Sequence, residues 1–368
     1  MNICFRADAS VQIGTGHIMR CLTLAQALRK KGASCYFICR DHTGTLFDLI
    51  RGHSFDVRVL ATRIPQEDCL VQQNVSDDNI IRHASWLGCD WQTDAEQTRD
   101  AIGDVVLDWL VVDHYSLDAS WESSLKVCCK KLMVIDDLAD RSHDCDLLLD
   151  QNYYNDMAIR YNKLTPSHCK YLTGPRYALL RPEFKDMRRR IKIRGSYVER
   201  IFIFFGGSDP TNETKKILIA LQLLGLKKIK IDVIIGSTNP HLKEIERICE
   251  ERPEVTVRIQ VSNIAELMGN ADLAIGASGS TTWERCCVGV PSLVWSIAEN
   301  QVAIAEAANE IGVCVNLGKA ENVSVQIAAD ALNELLESKQ KRIFLEENSL
   351  NLVDGQGTTL VVEELLSI

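Results

Sequence analysis

The chain lacks any run of about 18 apolar residues, the length a membrane-crossing helix needs. Its first residues, Met1-Asn2-Ile3-Cys4-Phe5-Arg6-Ala7-Asp8, show neither a basic start nor an apolar signal core, so a chain that is neither exported nor inserted in a membrane is expected. Basic excess is also missing. Lys and Arg number 41 against 50 Asp and Glu, a formal charge of −9 that disfavours nucleic acid and anionic membrane surfaces as partners. Any anion site must therefore be built locally. Proline is scarce, 8 in 368 residues with 21 Gly, and the composition of 46% hydrophobic and 25% charged residues excludes disordered, collagen-like and coiled-coil chains.

Cysteine is plentiful, 14 residues, but the Cys-x-x-Cys spacing is absent. The adjacent pairs Cys128-Cys129 and Cys286-Cys287 do not suit ordinary disulfides, and several other cysteines stand in apolar runs. Reduced, structural thiols in a cytoplasmic protein are expected, with no zinc site. A serine nucleophile elbow, a Walker loop and a paired-histidine metal motif are likewise missing. Asp144-x-Asp146 has a metal-binding look, yet it opens the apolar run Leu147-Leu148-Leu149 instead of closing a strand, so no metal is expected there.

Short β-rich runs alternate with amphipathic segments throughout, the pattern of parallel sheets flanked by helices. The first half predicts strands at 3–6, 34–38, 56–60, 109–112, 132–135 and 146–149, which together complete a sheet, and helices at 17–31, 44–51 and about 93–102. A polar stretch at 62–94, containing Ala84-Ser85-Trp86-Leu87-Gly88, interrupts the rhythm. The second half predicts strands at 200–205, 229–235, 255–259, 273–275 and 292–294 and helices at 241–251, 263–268 and 280–287. A helix-rich stretch at 323–348 and a last helix at 357–366 follow. The expected fold class is α/β with two Rossmann-like domains facing a cleft. Their boundaries are expected at 1–174, carrying a catalytic histidine, and 199–368, binding a nucleotide, with 175–198 as linker and the last helix packing back on the first domain. The six basic residues from Lys185 to Arg194 read as a solvated linker face.

Ligands of such sheets bind beyond the carboxyl ends of the strands. Gly14-Thr15-Gly16-His17 follows strand one and opens helix one, where the glycines admit close backbone approach and the helix end favours an anion. A positive helix end disfavours a cation, which suits His17 to accepting a proton as a general base; the alternative is a capping or core histidine. Met19 stands where the dinucleotide fingerprint needs its third glycine. Asp8, ahead of the loop, either orients His17 or a substrate hydroxyl, or caps a turn. Asp113-His114-Tyr115 end a strand and are expected to touch substrate, whereas Asp136-Asp137 read as structural.

Gly206-Gly207-Ser208-Asp209 again ends a strand. Ser278-Gly279-Ser280-Thr281-Thr282-Trp283-Glu284 is expected to form a phosphate cradle with three hydroxyls in the first helical turn and Glu284 placed to take ribose hydroxyls. Its rival is an N-cap with a capping-box glutamate. Asn300 and Gln301 bring amides to a further helix-opening loop.

Phe5-Arg6-Ala7-Asp8-Ala9-Ser10, Gln12-Ile13-Gly14-x-Gly16-His17-x-x-Arg20-Cys21, Asp113-His114-Tyr115, Gly174-x-x-Tyr177-Ala178-Leu179-Leu180-Arg181-x-Glu183-Phe184 and Gly206-Gly207-x-Asp209, in that order, resemble the PseG family over nearly the whole chain. Its members hydrolyse UDP-2,4-diacetamido-2,4,6-trideoxy-β-L-altropyranose on the way to pseudaminic acid, a sugar of flagellin and surface polysaccharides. The resemblance implies a GT-B-type fold related to the MurG glycosyltransferases, no cofactor, no metal, and a UDP-sugar as the binding partner. It matches His17 to the catalytic histidine, Glu284 to a glutamate associated with the nucleotide and Asn300 to an asparagine near the substrate, and it adds Tyr177 and Arg181 to the substrate-binding set. Thr15 departs from a position where an aromatic occurs, and the 62–94 stretch is trimmed in shorter members. The expected chemistry is attack of water at the anomeric carbon with inversion. The competing readings are a GT-B glycosyltransferase with an acceptor hydroxyl in place of water, and a nucleotide-sugar sensor without turnover. Oligomeric state and sugar stereochemistry are not legible in the motifs.

Overall fold

The computed structural model describes residues 1–61, 83–191, 194–237, 239–250 and 252–367. Most of the polar stretch expected at 62–94, with Cys69, and Lys192 of the basic run lie outside the described residues. The chain divides into two units, one formed by Met1–Asn152, Asp156–Leu179 and Gly357–Ile368, the other by Tyr153–Asn155 and Leu180–Gln356.

The first unit begins with β1 (Asn2–Ala7), α1 (Gly16–Lys30), β2 (Ser34–Arg40), α2 (Phe47–Gly52) and β3 (Asp56–Leu60). It continues through α3 (Trp91–Ile102), β4 (Leu107–Asp113), α4 (Ala119–Leu125), β5 (Cys129–Ile135), β6 (Leu147–Asp150) and β7 (Lys170–Thr173). The seven strands lie in the order β3-β2-β1-β4-β5-β6-β7 and all pair in parallel. The sequence-based sheet ended at residue 149. The edge strand β7 escaped it because Lys170-Tyr171-Leu172-Thr173 is short and buries little, as an edge strand does.

Alternation along the strands separates two cores. Phe5, Val111, Met133 and Ile135 pack with Ile18, Cys21, Leu22, Ala25 and Leu28 of α1, which recur at the three- and four-residue spacing of one helix face. Cys4, Leu110, Val112, Leu132 and Val134 point the other way, toward Ala95 of α3 and Trp121 of α4. Gly32, at φ 89°, stops α1 one residue past its cap in a conformation that a side chain resists.

The second unit runs through α5 (Pro182–Arg188), β8 (Arg200–Phe204), α6 (Glu213–Leu223), β9 (Lys230–Ile235), α7 (Leu242–Cys249), β10 (Val255–Ile259) and α8 (Ile264–Gly269). It ends with β11 (Leu273–Ala277), α9 (Thr281–Cys287), β12 (Ser292–Ser296), α10 (Val302–Glu310), β13 (Val315–Lys319), α11 (Val325–Glu337) and α12 (Lys339–Leu352). Its six parallel strands lie in the order β10-β9-β8-β11-β12-β13. The last helix, α13 (Gly357–Ser367), belongs to the first unit, where Leu365 carbonyl accepts from Trp109 Nε1 at 3.1 Å and Glu364 pairs with Lys170 at 2.7 Å.

The thirteen described cysteines are free. Asp144 is taken by Ser123 and Lys126, and Asp146 by Lys131 and the Leu132 amide, so both carboxylates of the Asp-x-Asp sequence serve local ion pairs. Beside them His143 lies fully buried, with Nδ1 2.7 Å from Glu122 and Nε2 3.8 Å from Asp136. Burial opposes its charge, but the two carboxylates outweigh burial and raise the His143 pKa to about 9. A folded value above the unfolded one, about 6.5, stabilises fully below the latter and fades as pH rises through the former. Thermal denaturation followed from pH ~6.5 to ~9 should show a loss on the order of 3 kcal/mol from this group. His143→Asn should flatten that slope; an unchanged slope would remove the pair as its source.

Candidate active site

The loop 8–15 carries the chain from β1 to α1, and the β1–β4 register places Ala7 opposite Asp113. The first turn of α1 therefore lies over the carboxyl end of β4. Gly14 holds φ 77° with its amide bonded to Ser10 carbonyl at 2.9 Å, and a Cβ at Gly14 or Gly16 would meet no atom within 4 Å, so backbone is approachable here. Thr15 gives α1 no side-chain cap, leaving amides of the first turn to another acceptor.

His17 Nδ1 lies 2.6 Å from Asp113 Oδ1. An oxygen of an ionised carboxylate at that distance requires the proton on Nδ1, so a neutral ring carries its lone pair on Nε2. That nitrogen has no hydrogen-bond partner among the described residues, and 6% of His17 remains exposed. Arg20, one turn along α1, grips Asp113 with two bonds, Nε to Oδ2 at 2.6 Å and an Nη to Oδ1 at 2.7 Å. Burial by itself would raise the Asp113 pKa, but the Arg20 charge and then His17 outweigh it and hold the carboxyl well below the usual range. The other Nη of Arg20 reaches Asp137 Oδ2 at 3.2 Å. Asp137 also accepts from Tyr115 hydroxyl at 2.5 Å and Asn152 Nδ2 at 3.0 Å, and the Tyr115 ring stands edge-on to His17 with centroids 4.6 Å apart.

A second buried polar group occupies the opposite face of the same sheet. Arg6 bonds Asp8 at 2.5 Å and Asp94 at 2.7 Å, Arg40 bonds Asp94 at 2.7 Å, and the Arg40 amide donates to Asp8 at 2.7 Å. His114 Nδ1 accepts from the Ser116 amide, while its Nε2 and that of His42 lie 3.2 and 3.6 Å from Asp8 Oδ2. Burial opposes the Asp8 charge, yet Arg6 and the two imidazoles hold its pKa well below the ordinary value.

These positions correct two expectations. Asp8 has no bond to His17; Asp113 orients the imidazole instead, because Asp8 sits on the sheet face away from α1. The triplet Asp113-His114-Tyr115 is 0, 3 and 5% exposed, with its acidic and phenolic groups engaged internally, so it backs His17 instead of presenting an open surface. Asp137, read as structural, joins the His17 group while Asp136 does not. Consecutive residues leave a strand on opposite faces, and only Asp137 points toward α1. Of the 62–94 stretch, the described part backs the same place: His83 and Trp86 lie 5.4 and 5.9 Å from the Tyr115 ring.

In the second unit, Gly206 ends β8 at φ 92°, and Gly207 carbonyl accepts from the Gly236 amide at 3.0 Å, so close that a Cβ on Gly236 would fall 2.5 Å from that oxygen. Gly207 itself is exposed at this strand end. Asp209 caps α6 through the amides of Glu213 and Thr214, both at 2.9 Å. The three-hydroxyl cradle at 280–282 is not presented. Thr281 Oγ1 donates to Ala277 carbonyl and accepts from Arg285 at 3.2 Å, Thr282 Oγ1 accepts from Arg285 at 3.0 Å, and only Ser280 is exposed. Ser278 Oγ, buried beside them, has no hydrogen-bond partner among the described residues. The capping-box alternative is not realised either: Ser280 gives α9 no side-chain bond, and Glu284 Oε1 lies 3.5 Å from Arg181, which also pairs with Glu183 at 3.1 Å. Burial pushes the Glu284 pKa up, against the pull of Arg181 and Arg285. Gln301 Oε1 accepts from the Ile297 amide at 3.1 Å, with its amide beside Gly279, while Asn300 is exposed. Tyr177 closes a 3-10 turn in the first unit and is partly buried against its core.

Sequence reasoning gave no role to Asn152, nor to Arg20 although it stands in the His17 motif. The signal for Arg20 was its place three residues after His17 on the helix face that carries Ile18, Cys21 and Leu22, where a charge requires a buried partner.

No protein-family model matches the chain. The spore coat polysaccharide biosynthesis protein SpsG of Bacillus subtilis is 24% identical over 370 residues, 99% of this chain and 98% of its own. Among solved structures, MurG of Acinetobacter baumannii superposes with a TM-score of 0.65 at 11% identity, covering 100% of this chain and 99% of its own. The calicheamicin glycosyltransferase CalG4 does so at 0.62 and 13%, covering 100% and 97%. These give the fold, two Rossmann-like units of the GT-B type. Among the described residues no helix is long and apolar enough to cross a membrane. The UDP-2,4-diacetamido-2,4,6-trideoxy-β-L-altropyranose hydrolase of Campylobacter jejuni is 30% identical over 282 residues, 76% of this chain and 85% of its own, and on that identity and coverage the chain belongs to the PseG family.

Proposed function

We propose that the protein is an enzyme acting on a UDP-sugar, and that it hydrolyses UDP-2,4-diacetamido-2,4,6-trideoxy-β-L-altropyranose to UDP and 2,4-diacetamido-2,4,6-trideoxy-L-altrose, a precursor for surface-polysaccharide or flagellin glycosylation. The observation that carries this reading is His17, with Nδ1 bound to an anionic Asp113 and Nε2 left to accept a proton at the uncapped start of α1. The hydrolase relative and the polysaccharide-biosynthesis relative support the substrate class.

In this mechanism Nε2 of His17 removes a proton from water. The water oxygen bonds to the anomeric carbon as the bond from that carbon to the UDP oxygen breaks, with inversion, and UDP leaves as the anion. A positioned base supplies about 10² to 10⁴ in rate, so positioning and stabilisation of the departing diphosphate supply the rest. For the nucleotide we assign the strand-end loops of the second unit: Gly207, the unpartnered Ser278 hydroxyl with Ser280 beside it, Glu284 with Arg181, and Asn300 and Gln301. Tyr177 is assigned to the sugar.

Purified protein should release UDP from this substrate without any acceptor, and reaction in ¹⁸O-water should place the label in the sugar. Release that depends on an added acceptor would favour a glycosyltransferase. Label in UDP would mean attack at phosphorus and would sink the mechanism.

A further inference from the structure

We infer that Asp137 is a positioning residue for the His17 base, acting through Arg20 and Tyr115 without touching substrate. This rests on the reading of His17 as the base.

The geometry is a closed circuit. His17 is held in its ring plane by Asp113 at 2.6 Å, and Asp113 is held by two bonds from Arg20. One bond alone leaves an imidazole free to rock about its Nδ1–H axis. The Tyr115 ring, edge-on at an interplanar angle of 80° and 4.6 Å away, blocks that rocking. Both restraints converge on one carboxylate: Asp137 Oδ1 takes the Tyr115 hydroxyl at 2.5 Å, and Oδ2 takes Arg20 at 3.2 Å and Asn152 at 3.0 Å. Asp137 is 7% exposed, so its charge has little water to answer it and depends on these donors.

An ionised carboxylate suits this place because Tyr115, Arg20 and Asn152 all donate to it. An asparagine offers one acceptor oxygen, and its amide then faces another donor, so either Tyr115 or Arg20 must move. Movement of Tyr115 removes the wall beside His17; movement of Arg20 turns Asp113. Either way Nε2 loses its aim while the residues that meet substrate remain in place.

The test is Asp137→Asn, with Tyr115→Phe as a second variant that keeps the ring and removes only the hydroxyl. Two readouts are needed: kcat and KM for UDP release, and the downfield proton resonance of the His17 Nδ1–H in ¹⁵N-histidine-labelled protein, assigned by its loss in His17→Gln. Asp137→Asn should lower kcat by about 10- to 100-fold with KM within about threefold, since misaiming of a reacting group is felt in the chemical step. Its Nδ1–H signal should shift or broaden through exchange. Tyr115→Phe should show both effects more weakly, and it decides the matter if Asp137→Asn does not fold. An unmoved Nδ1–H resonance in the folded variants overturns the proposal whatever turnover does, because a general packing defect lowers activity without touching that bond. The resonance is read in free protein, so it also judges the circuit if the wild type fails to hydrolyse the UDP-sugar, which would refute the hydrolase reading separately.

Discussion

His17→Ala is expected to lower turnover of the UDP-sugar by at least about 10²-fold while UDP still binds. The size follows from the role. Without the imidazole, water must lose its proton to solvent, and only positioning and leaving-group stabilisation remain. Asp113 and Arg20 stay paired with each other, so the fold should survive. UDP affinity is the internal control, because the groups assigned to the nucleotide belong to the second unit. Steady-state release of UDP and titration with UDP alone separate the two quantities. Near-normal turnover in the mutant would take the base role away from His17, and loss of UDP binding would assign this histidine to the ligand itself.

Asp113→Asn should be nearly as damaging, about 10²- to 10⁴-fold in turnover, for a different reason. The wild-type carboxylate accepts at once from His17 Nδ1–H, Arg20 Nε and an Arg20 Nη, with the weaker Cys21 thiol at 3.5 Å beside them. An amide keeps one oxygen. If that oxygen stays with Arg20, its NH₂ faces His17, which must then accept at Nδ1 and carry its proton on Nε2. The ring is present but its basic nitrogen faces inward. The variant also weakens a buried charge-assisted pair, at a cost of about 1.5–3 kcal/mol in stability. Activity and thermal denaturation measured together distinguish tautomer from unfolding. A folded Asp113→Asn protein within threefold of wild type would refute the tautomer argument. The pH dependence has a defined sign. Arg20 and His17 hold the Asp113 carboxyl well below the ordinary value of about 4, so its stabilising charge is complete above that value and is lost only as pH falls further below it. Any loss of activity seen between pH 4 and 7 therefore has another source.

Much of the architecture was legible in the chain because parallel strands buried on both faces are nearly continuous apolar runs. Leu107–Asp113 and Ser292–Ser296, of this buried kind, enclose the expected 109–112 and 292–294, and even the half-exposed edge strands Asp56–Leu60 and Val255–Ile259 match to the residue. What escaped were elements with mixed patterns: α4, β7 and β13. The segment Val315-Asn316-Leu317-Gly318-Lys319 has no buried residue and a glycine at φ 90°, so its strand character comes from pairing with β12 and not from its own side chains. The glycine loop before α1 marked His17, since a strand, two glycines and a helix start are all local features.

Its partners were not local. Asp113 lies 96 residues away and Asp137 another 24, and a sequence read one segment at a time takes Asp113 as a strand-end acid open to substrate and Asp137 as structural, with no sign that either meets α1. The 280–282 hydroxyls failed for a related reason: Arg285, which consumes two of them, is one turn away on the same helix, and nothing in the spacing says whether it turns inward.

By itself, then, the sequence determined two α/β units, a histidine at the opening of α1, and membership in a family whose ordered motifs are too many to arise by chance. Only the tertiary structure decided which carboxylate orients that histidine. Strand order brings β4 beside β1 and β5 beside β4, and alternation along each strand sends Asp113 and Asp137 to the α1 face and Asp8 and Asp136 to the other. Side-chain parity is written in the chain, but which acid meets which helix depends on pairing across a hundred residues, and that is fixed by packing.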